Sequence, residues 1–338
     1  SSLLPWPTAR TSPVRESMAT TDGSARAMTS ISPSCSAATR AAPRGWAAAG
    51  AASDPIAALA LSSQGETFFP ADARGEGPFF QPLSPAAPPA GVCTSLGQLL
   101  LLWDPGEPHK PEGEWWLRQD ALERYLRGEV VEAVRARSER DESAGLYLPE
   151  SRLGIGHDAG KRTVVEGMLY EVEYIRPLDG VGLDVEVQGL EGWPQTGTLS
   201  GGGESRAARF RQVPADPLPQ PPRPLPKRFK VYLATPTYFA RGWAPADWER
   251  FFEGDVRLVT AAVNRYQSAG GFDLAQDPRH ARAHKPARRY VPAGSVYFFE
   301  AQGDTWLKTD TLSDDPAPIG WGQVLIGTWQ PAMAARER

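Results

Sequence analysis

The chain has 338 residues, 41% of them hydrophobic, and a formal net charge of -4, so it can bury a core and is not uniformly basic. The average hides a split: residues 201 to 300 carry 16 Lys plus Arg against 9 Asp plus Glu, whereas residues 1 to 200 carry 17 against 26. Such an asymmetry suggests one face for a polyanion and another for a protein partner, and the length suggests two domains.

Residues 1 to 50 stand apart, since Ala, Ser and Thr fill 26 of those 50 positions and Leu, Ile, Val and Phe only four. With no period-two alternation and no amphipathic face, the stretch reads as disordered, as a shifted reading frame, or as a segment held by a partner. From about residue 51 the pattern becomes globular, with GETFFPAD and EGPFFQPL as short strands. The run LGQLLLLW, 96 to 103, is too short to cross a bilayer, and no secretory signal is visible. LRQDALERYLRG, 117 to 128, predicts a helix capped by Asp120 and closed by Gly128, with Leu122 and Leu126 on one face.

The segments 163 to 177 and 182 to 189 predict two strands joined by a glycine-containing turn. The tract 214 to 226 holds seven Pro in thirteen residues and predicts a stiff linker or surface belt. Beyond it RFKVYLATPTYF reads as a strand, and PADWERFFEGDVRLVTAAVNRY as a helix opening near Pro245 followed by a strand. GSVYFFEAQG and GQVLIGTW add two strands, and the mixed order predicts an α+β fold.

Few motifs carry chemistry. Gly322 and Gly327 have the spacing of a phosphate loop, but Thr-Trp follows where Lys-Ser or Lys-Thr is required. His157-Asp158 evokes a metal-dependent phosphohydrolase, yet the other histidines stand only at 109, 280 and 284, and Cys35 and Cys93 lack zinc or disulfide spacing. No GxSxG elbow is present. An intracellular, cytoplasmic protein without metal or cofactor is therefore expected. LSGGGESRAARF is more informative, because Gly201, Gly202 and Gly203 expose backbone N–H groups beside Arg206 and Arg209. A helix starting near Glu204 or Ser205 would aim free amides at an anion; a hairpin tip beside surface arginines is the other reading. Gly270 and Gly271 precede the basic run Arg279, Arg282, His284, Lys285, Arg288 and Arg289, and Tyr290 follows as a stacking ring or a core residue. Glycine loops beside arginines and rings suit single-stranded RNA.

The segments RLGIGHDAGKRTVVEGMLYEVEYIRP, GGGESRAARF, FKVYLATPTYF, RYQSAGGFDL and HKPARRYVPAGSVYFFE, in that order, resemble the Cmr subunit 3 family. These are RAMP proteins of type III-B CRISPR effector complexes, and GWGQVLIGTW resembles the glycine-rich RAMP signature near the C-terminus. The resemblance, over roughly 60 to 330, implies two tandem ferredoxin-like (RRM-like) domains with long loop insertions, at 51 to 198 and 199 to 338. It implies a non-catalytic subunit that holds the crRNA 5′ tag beside the large polymerase-like subunit and the first backbone RAMP subunit. RNA contacts are then expected from Lys161, Arg162, Gly201 to Gly203, Ser205, Arg206, Arg209, Arg265, Gly270, Gly271, Arg279, Arg282, His284, Lys285, Arg288 and Arg289. The alternative is a RAMP endoribonuclease using His157, His280 or His284 as general acid or base. Residues 1 to 50 depart from the family, whose members open with an aromatic first strand and an apolar first helix.

Overall fold

The computed structural model describes residues 27–32, 56–63, 66–71, 79–80, 82–88, 99–103, 115–135, 146–158, 160–161, 163–178, 181–187, 194–201, 206–214, 218–263, 265–272, 284–309, 311–314 and 320–331. Among them the fold is strand-rich α+β with one helix, Gln119–Leu126. The larger sheet has eight strands, in the order Thr196–Gly201, Arg206–Pro214, Ala27–Ser32, Val181–Val187, Ile56–Ser63, Glu66–Ala71, Trp115–Arg118 and Val134–Arg135. The smaller has four, in the order Val256–Ala262, Val296–Ala301, Arg228–Leu233 and Val324–Thr328. Neighbouring strands are antiparallel throughout both.

Several local expectations change. Ala27–Ser32 is a strand, with Met28 opposite Glu186 on one side and Val213 on the other. Composition predicts nothing here; Thr29 and Ile31 suit a strand, and ladder bonds on both sides supply what hydrophobicity lacks. The segments 163 to 177 and 182 to 189 do not form a hairpin together. Val164–Pro177 pairs instead with Tyr147–His157, while Val181–Val187 pairs with Ile56–Ser63 and Ala27–Ser32. Glu204 and Ser205, where one reading starts a helix, lie outside the described residues; Thr196–Gly201 and Arg206–Pro214 on either side are adjacent strands, with Gly201 opposite Arg206. Of the proline tract, residues 218 to 226 run without regular structure as a belt that buries Leu225, whose N–H donates to the Thr305 carbonyl at 2.8 Å.

The helix buries Ala121, Leu122, Tyr125 and Leu126. Asp120 does not cap it. Arg118, the last residue of the preceding strand, holds the N-cap position in an extended conformation with no side-chain bond capping the helix, and Asp120 lies in the first turn, where its charge favours the helix dipole. At the other end Gly128, at φ +88°, closes a Schellman turn. Its N–H donates to the Tyr125 carbonyl at 2.9 Å, and the Glu129 N–H donates to the Arg124 carbonyl at 3.1 Å.

That C-terminus docks on the four-stranded sheet. Lys230, on the central strand Arg228–Leu233, is 1% exposed; its Nζ donates to the Tyr125 carbonyl at 2.5 Å and sits 3.8 Å from the centroid of the Tyr125 ring. The carbonyl end of the dipole and the ring face both attract a cation, but burial opposes charge and pulls the Lys230 ammonium from its ordinary 10.5 down to about 7. Beside Lys230 in the ladder stands Gly327, where a Cβ would come within 2.3 Å of the Leu126 carbonyl oxygen. Gly322, at φ +79°, has the Leu312 carbonyl 2.6 Å from its Cβ position. Both glycines of the apparent phosphate loop therefore serve close backbone approach.

The sheet is covered on both faces. Towards the helix, Tyr232, Val296, Phe298 and Leu325 join Leu117, Leu122, Leu126 and Trp329 in one core. On the far face Phe229, Val231, Tyr297, Phe299 and Ile326 form a second with Phe239, Phe251 and Phe252. The helix expected near Pro245 is absent. Asp247 Oδ1 accepts from the Glu249 N–H at 2.8 Å, one turn follows in which the Phe251 and Phe252 N–H groups reach the Trp248 carbonyl, and Gly254 at φ +103° ends it. Trp248, Phe251 and Phe252 have helical spacing, but one turn already lays all three rings against the far-face core.

Two consequences can be measured. Between about 7 and 10.5 the unfolded chain binds a proton at Lys230 that the folded chain does not, so stability rises with pH there. Urea unfolding from about pH 7 to about pH 9 should show a rise of at most about 1.4 kcal/mol per pH unit, and Lys230→Met should flatten it. Gly327→Ala should destabilise by about 1–3 kcal/mol in the same assay, because the added methyl overpacks the helix backbone.

Candidate nucleic-acid interface

The basic run of residues 279 to 289 enters a hairpin. His284–Tyr290 pairs with Gln267–Phe272, placing Gln267 opposite Tyr290, Ser268 opposite Arg289 and Ala269 opposite Arg288. A bulge follows in which Pro286 and Ala287 stand against the single residue Gly270, after which Gly271 faces Lys285 and Phe272 faces His284. The glycines expected in a loop therefore lie within a strand. Arg279 and Arg282 fall outside the described residues.

Side-chain alternation gives this hairpin two faces. On one, Arg288 lies over the Tyr238 ring at 4.8 Å, Tyr238 meets Tyr290 at 5.7 Å, and Tyr290 stacks on Trp321 at 4.2 Å with 23° between planes. On the other, Arg289 lies over Tyr266 at 4.6 Å. Arg265, Arg288 and Arg289 are exposed. Tyr290 belongs to the packed side and Trp321 is buried, so their stack fixes the root of the hairpin.

The hairpin is also tied by backbone. Val291 and Thr237 exchange N–H···O bonds of 2.8 and 2.9 Å, and the Gly294 N–H donates to the Leu233 carbonyl at 2.8 Å. The turn at 292 to 294 leads directly into the buried strand Val296–Ala301, so the positive charge stands on a rigid mount.

The remaining expected residues lie elsewhere. Arg209 is exposed on Arg206–Pro214 in the eight-stranded sheet, opposite Thr198, and Gly201 and Arg206 end that strand pair; Gly202, Gly203 and Ser205 are outside the described residues. Lys161 is exposed at the tip of the long arm Tyr147–His157/Val164–Pro177, where the Asp158 carboxylate accepts the N–H groups of Gly160 and Lys161 at 2.9 and 3.0 Å; Arg162 is outside the described residues. Among the described residues the candidates thus stand on three separate sheets, and of these Arg265, Gly270, Gly271, His284, Lys285, Arg288 and Arg289 share one hairpin or its start. His157 belongs to the arm and His284 to the basic hairpin, while His280 is outside the described residues. Among the described residues no group of three His, Cys, Asp or Glu could hold a metal ion, and no helix is long and apolar enough to cross a membrane.

Sequence reading missed Tyr238, Tyr266 and Trp321. Tyr266 had a signal, since it sits between Arg265 and the glycine pair; Tyr238 and Trp321 reach the hairpin from distant loops. It also missed the arm's exposed apolar residues. Leu153 and Leu169 are 73% and 66% exposed, with Ile155, Met168 and Tyr170 also open.

Structural comparison finds chains of "Cryo-EM structure of the Type III-B Cmr-beta bound to cognate target RNA", at 15% identity over 81% of this chain and 86% of that one, with a TM-score of 0.41. A second, with target RNA and AMPPnP in state 1, has the same identity and coverage and a TM-score of 0.38. No curated protein matches the sequence. A family model described as CRISPR-associated protein (Cas_Cmr3) matches residues 64–329, most of the sequence, and the chain belongs to that family.

Proposed function

We propose that this chain is a non-catalytic crRNA-binding subunit of a type III-B CRISPR effector complex, holding the 5′ tag beside the large polymerase-like subunit. The observation that carries the reading is the rigidly mounted basic hairpin, with Arg288 and Arg289 exposed and each backed by a tyrosine ring. Cations on a fixed strand neutralise phosphates without sequence preference, and the rings offer stacking surfaces to unpaired bases. Arg209 and Lys161, with Arg162 and the loop 201 to 205, extend the same role to the other sheet and the arm.

The smaller sheet supports a ferredoxin-like RAMP unit. Its first and third strands are central and its second and fourth are at the edges, the split order expected of βαββαβ, with irregular aromatic segments where the helices would cross. Because Arg206–Pro214 pairs in the larger sheet, the division between tandem units is best drawn in the proline tract, not at 199.

The arm supports assembly with a neighbouring subunit. Leu153, Ile155 and Leu169 share one face with Glu171 and Glu173, so that flank is apolar and acidic and suits protein, not phosphate. No observation favours the endoribonuclease, since His157 and His284 lie on different sheets.

Two experiments test this. Purified protein with labelled single-stranded tag RNA should retain it intact; Lys285→Ala, Arg288→Ala and Arg289→Ala together should weaken binding and flatten the salt slope of log K by up to about 2, at about 0.7 per phosphate contact. An unchanged slope in the folded variant would assign the charge to a partner interface, and cleavage would restore the nuclease. Leu153→Ser with Leu169→Ser should leave the salt slope unchanged but reduce co-purification with the complex by at least about tenfold; unaltered co-purification would remove the arm from assembly.

A further inference from the structure

We infer that Tyr266 and Arg289 form a stacking seat for a single unpaired nucleobase, on the face of the basic hairpin opposite the Arg288 ladder. The inference rests on the RNA-binding reading and adds to it a site at which a base, not a phosphate, is held.

The two arginine–tyrosine pairs of the hairpin are not equivalent. Tyr238, under Arg288, also meets Tyr290, which is itself stacked on Trp321, so that pair is part of a column of rings ending inside the fold. Tyr266 belongs to none of the core clusters and is 45% exposed. Among the described residues it touches no other ring, and the Arg289 guanidinium lies over it, 4.6 Å from the centroid. A half-exposed ring held by a guanidinium presents a flat, pre-organised surface with a positive charge in place.

The surroundings select the ligand. Arg289 lies over the ring and Arg265 precedes Tyr266 directly in the chain, so an approaching chain meets positive charge beside the ring, while Arg288 stands on the opposite face. Opposite Arg289 stands Ser268, followed by Ala269 and Gly270, which leave the neighbouring strand without bulky side chains. A flat aromatic group on a polyanionic chain fits that combination: π-surface against the ring or the guanidinium plane, phosphates on the flanking arginines. A duplex does not fit, because its bases are already stacked on one another.

The test uses the full chain and single-stranded RNA of the tag region carrying 2-aminopurine at successive positions. Stacking on a tyrosine quenches 2-aminopurine, so one position should be quenched on binding. Tyr266→Leu should abolish that quenching and weaken binding by about 10- to 100-fold, with the salt slope unchanged because no charge is removed. Arg289→Ala should reduce the same quenching and also lower the slope by about 0.7. An abasic nucleotide at that position should erase the difference between wild type and Tyr266→Leu. If RNA binds with the expected salt slope while Tyr266→Leu keeps both affinity and quenching, the stacking seat is overturned and RNA binding stands. If no RNA is retained by folded wild type, both fall.

Discussion

The contact on which the two sheets depend is that between Lys230 and the carbonyl end of the helix. A lysine at 1% exposure is normally costly, and here the amine adds a second donor to the Tyr125 carbonyl, which already accepts the Gly128 N–H at the end of the helix. Gly327 lets the backbone close on the sheet, and Lys230 fixes where along the central strand it closes. Tyr232, Phe298 and Leu325 then find Leu122 and Leu126 in register, and a single apolar core joins elements from both halves of the chain. Trp115–Arg118 runs directly into that helix, so the edge region of the eight-stranded sheet inherits the same alignment.

The strands of the four-stranded sheet were legible in the sequence because each is a largely apolar run, as strands covered on both faces must be. RFKVYL and VYFFEA are cases, although sequence reading passed over the lysine inside the first. The supposed helix at 245 failed for a different reason. Trp248, Phe251 and Phe252 have the spacing of a helical face, but periodicity cannot tell one turn from three. Strand partners were the least legible feature. Val164–Pro177 and Val181–Val187 are neighbours in sequence, yet one belongs to an arm and the other to a sheet, since pairing is decided by contacts far away in the chain.

The site divides similarly. The acid-free run 279 to 289 announced its charge. The rings behind the charge were not readable, because Tyr238 and Trp321 arrive from segments separated by more than the length of a strand or helix. What sequence could not supply was the difference between the two faces: one locks the hairpin to the fold and the other leaves a ring open. A binding element that must be both stiff and accessible needs that division.

Val256–Ala262 is an edge strand, and between Leu258 and Thr260 its register slips by one residue. The Val259 carbonyl released there accepts the Leu100 N–H at 2.9 Å, so a segment from the first half lies across the open margin of the second half's sheet. The two halves are therefore joined by a borrowed ladder bond as well as by the helix. A fragment beginning at the proline tract would bare this margin together with the greasy face vacated by Leu117, Leu122 and Leu126, and two such fragments would offer each other the missing cover. The chain's halves are thus obligate companions, and genetic dissection of this subunit is better done by point substitution than by cutting it in two.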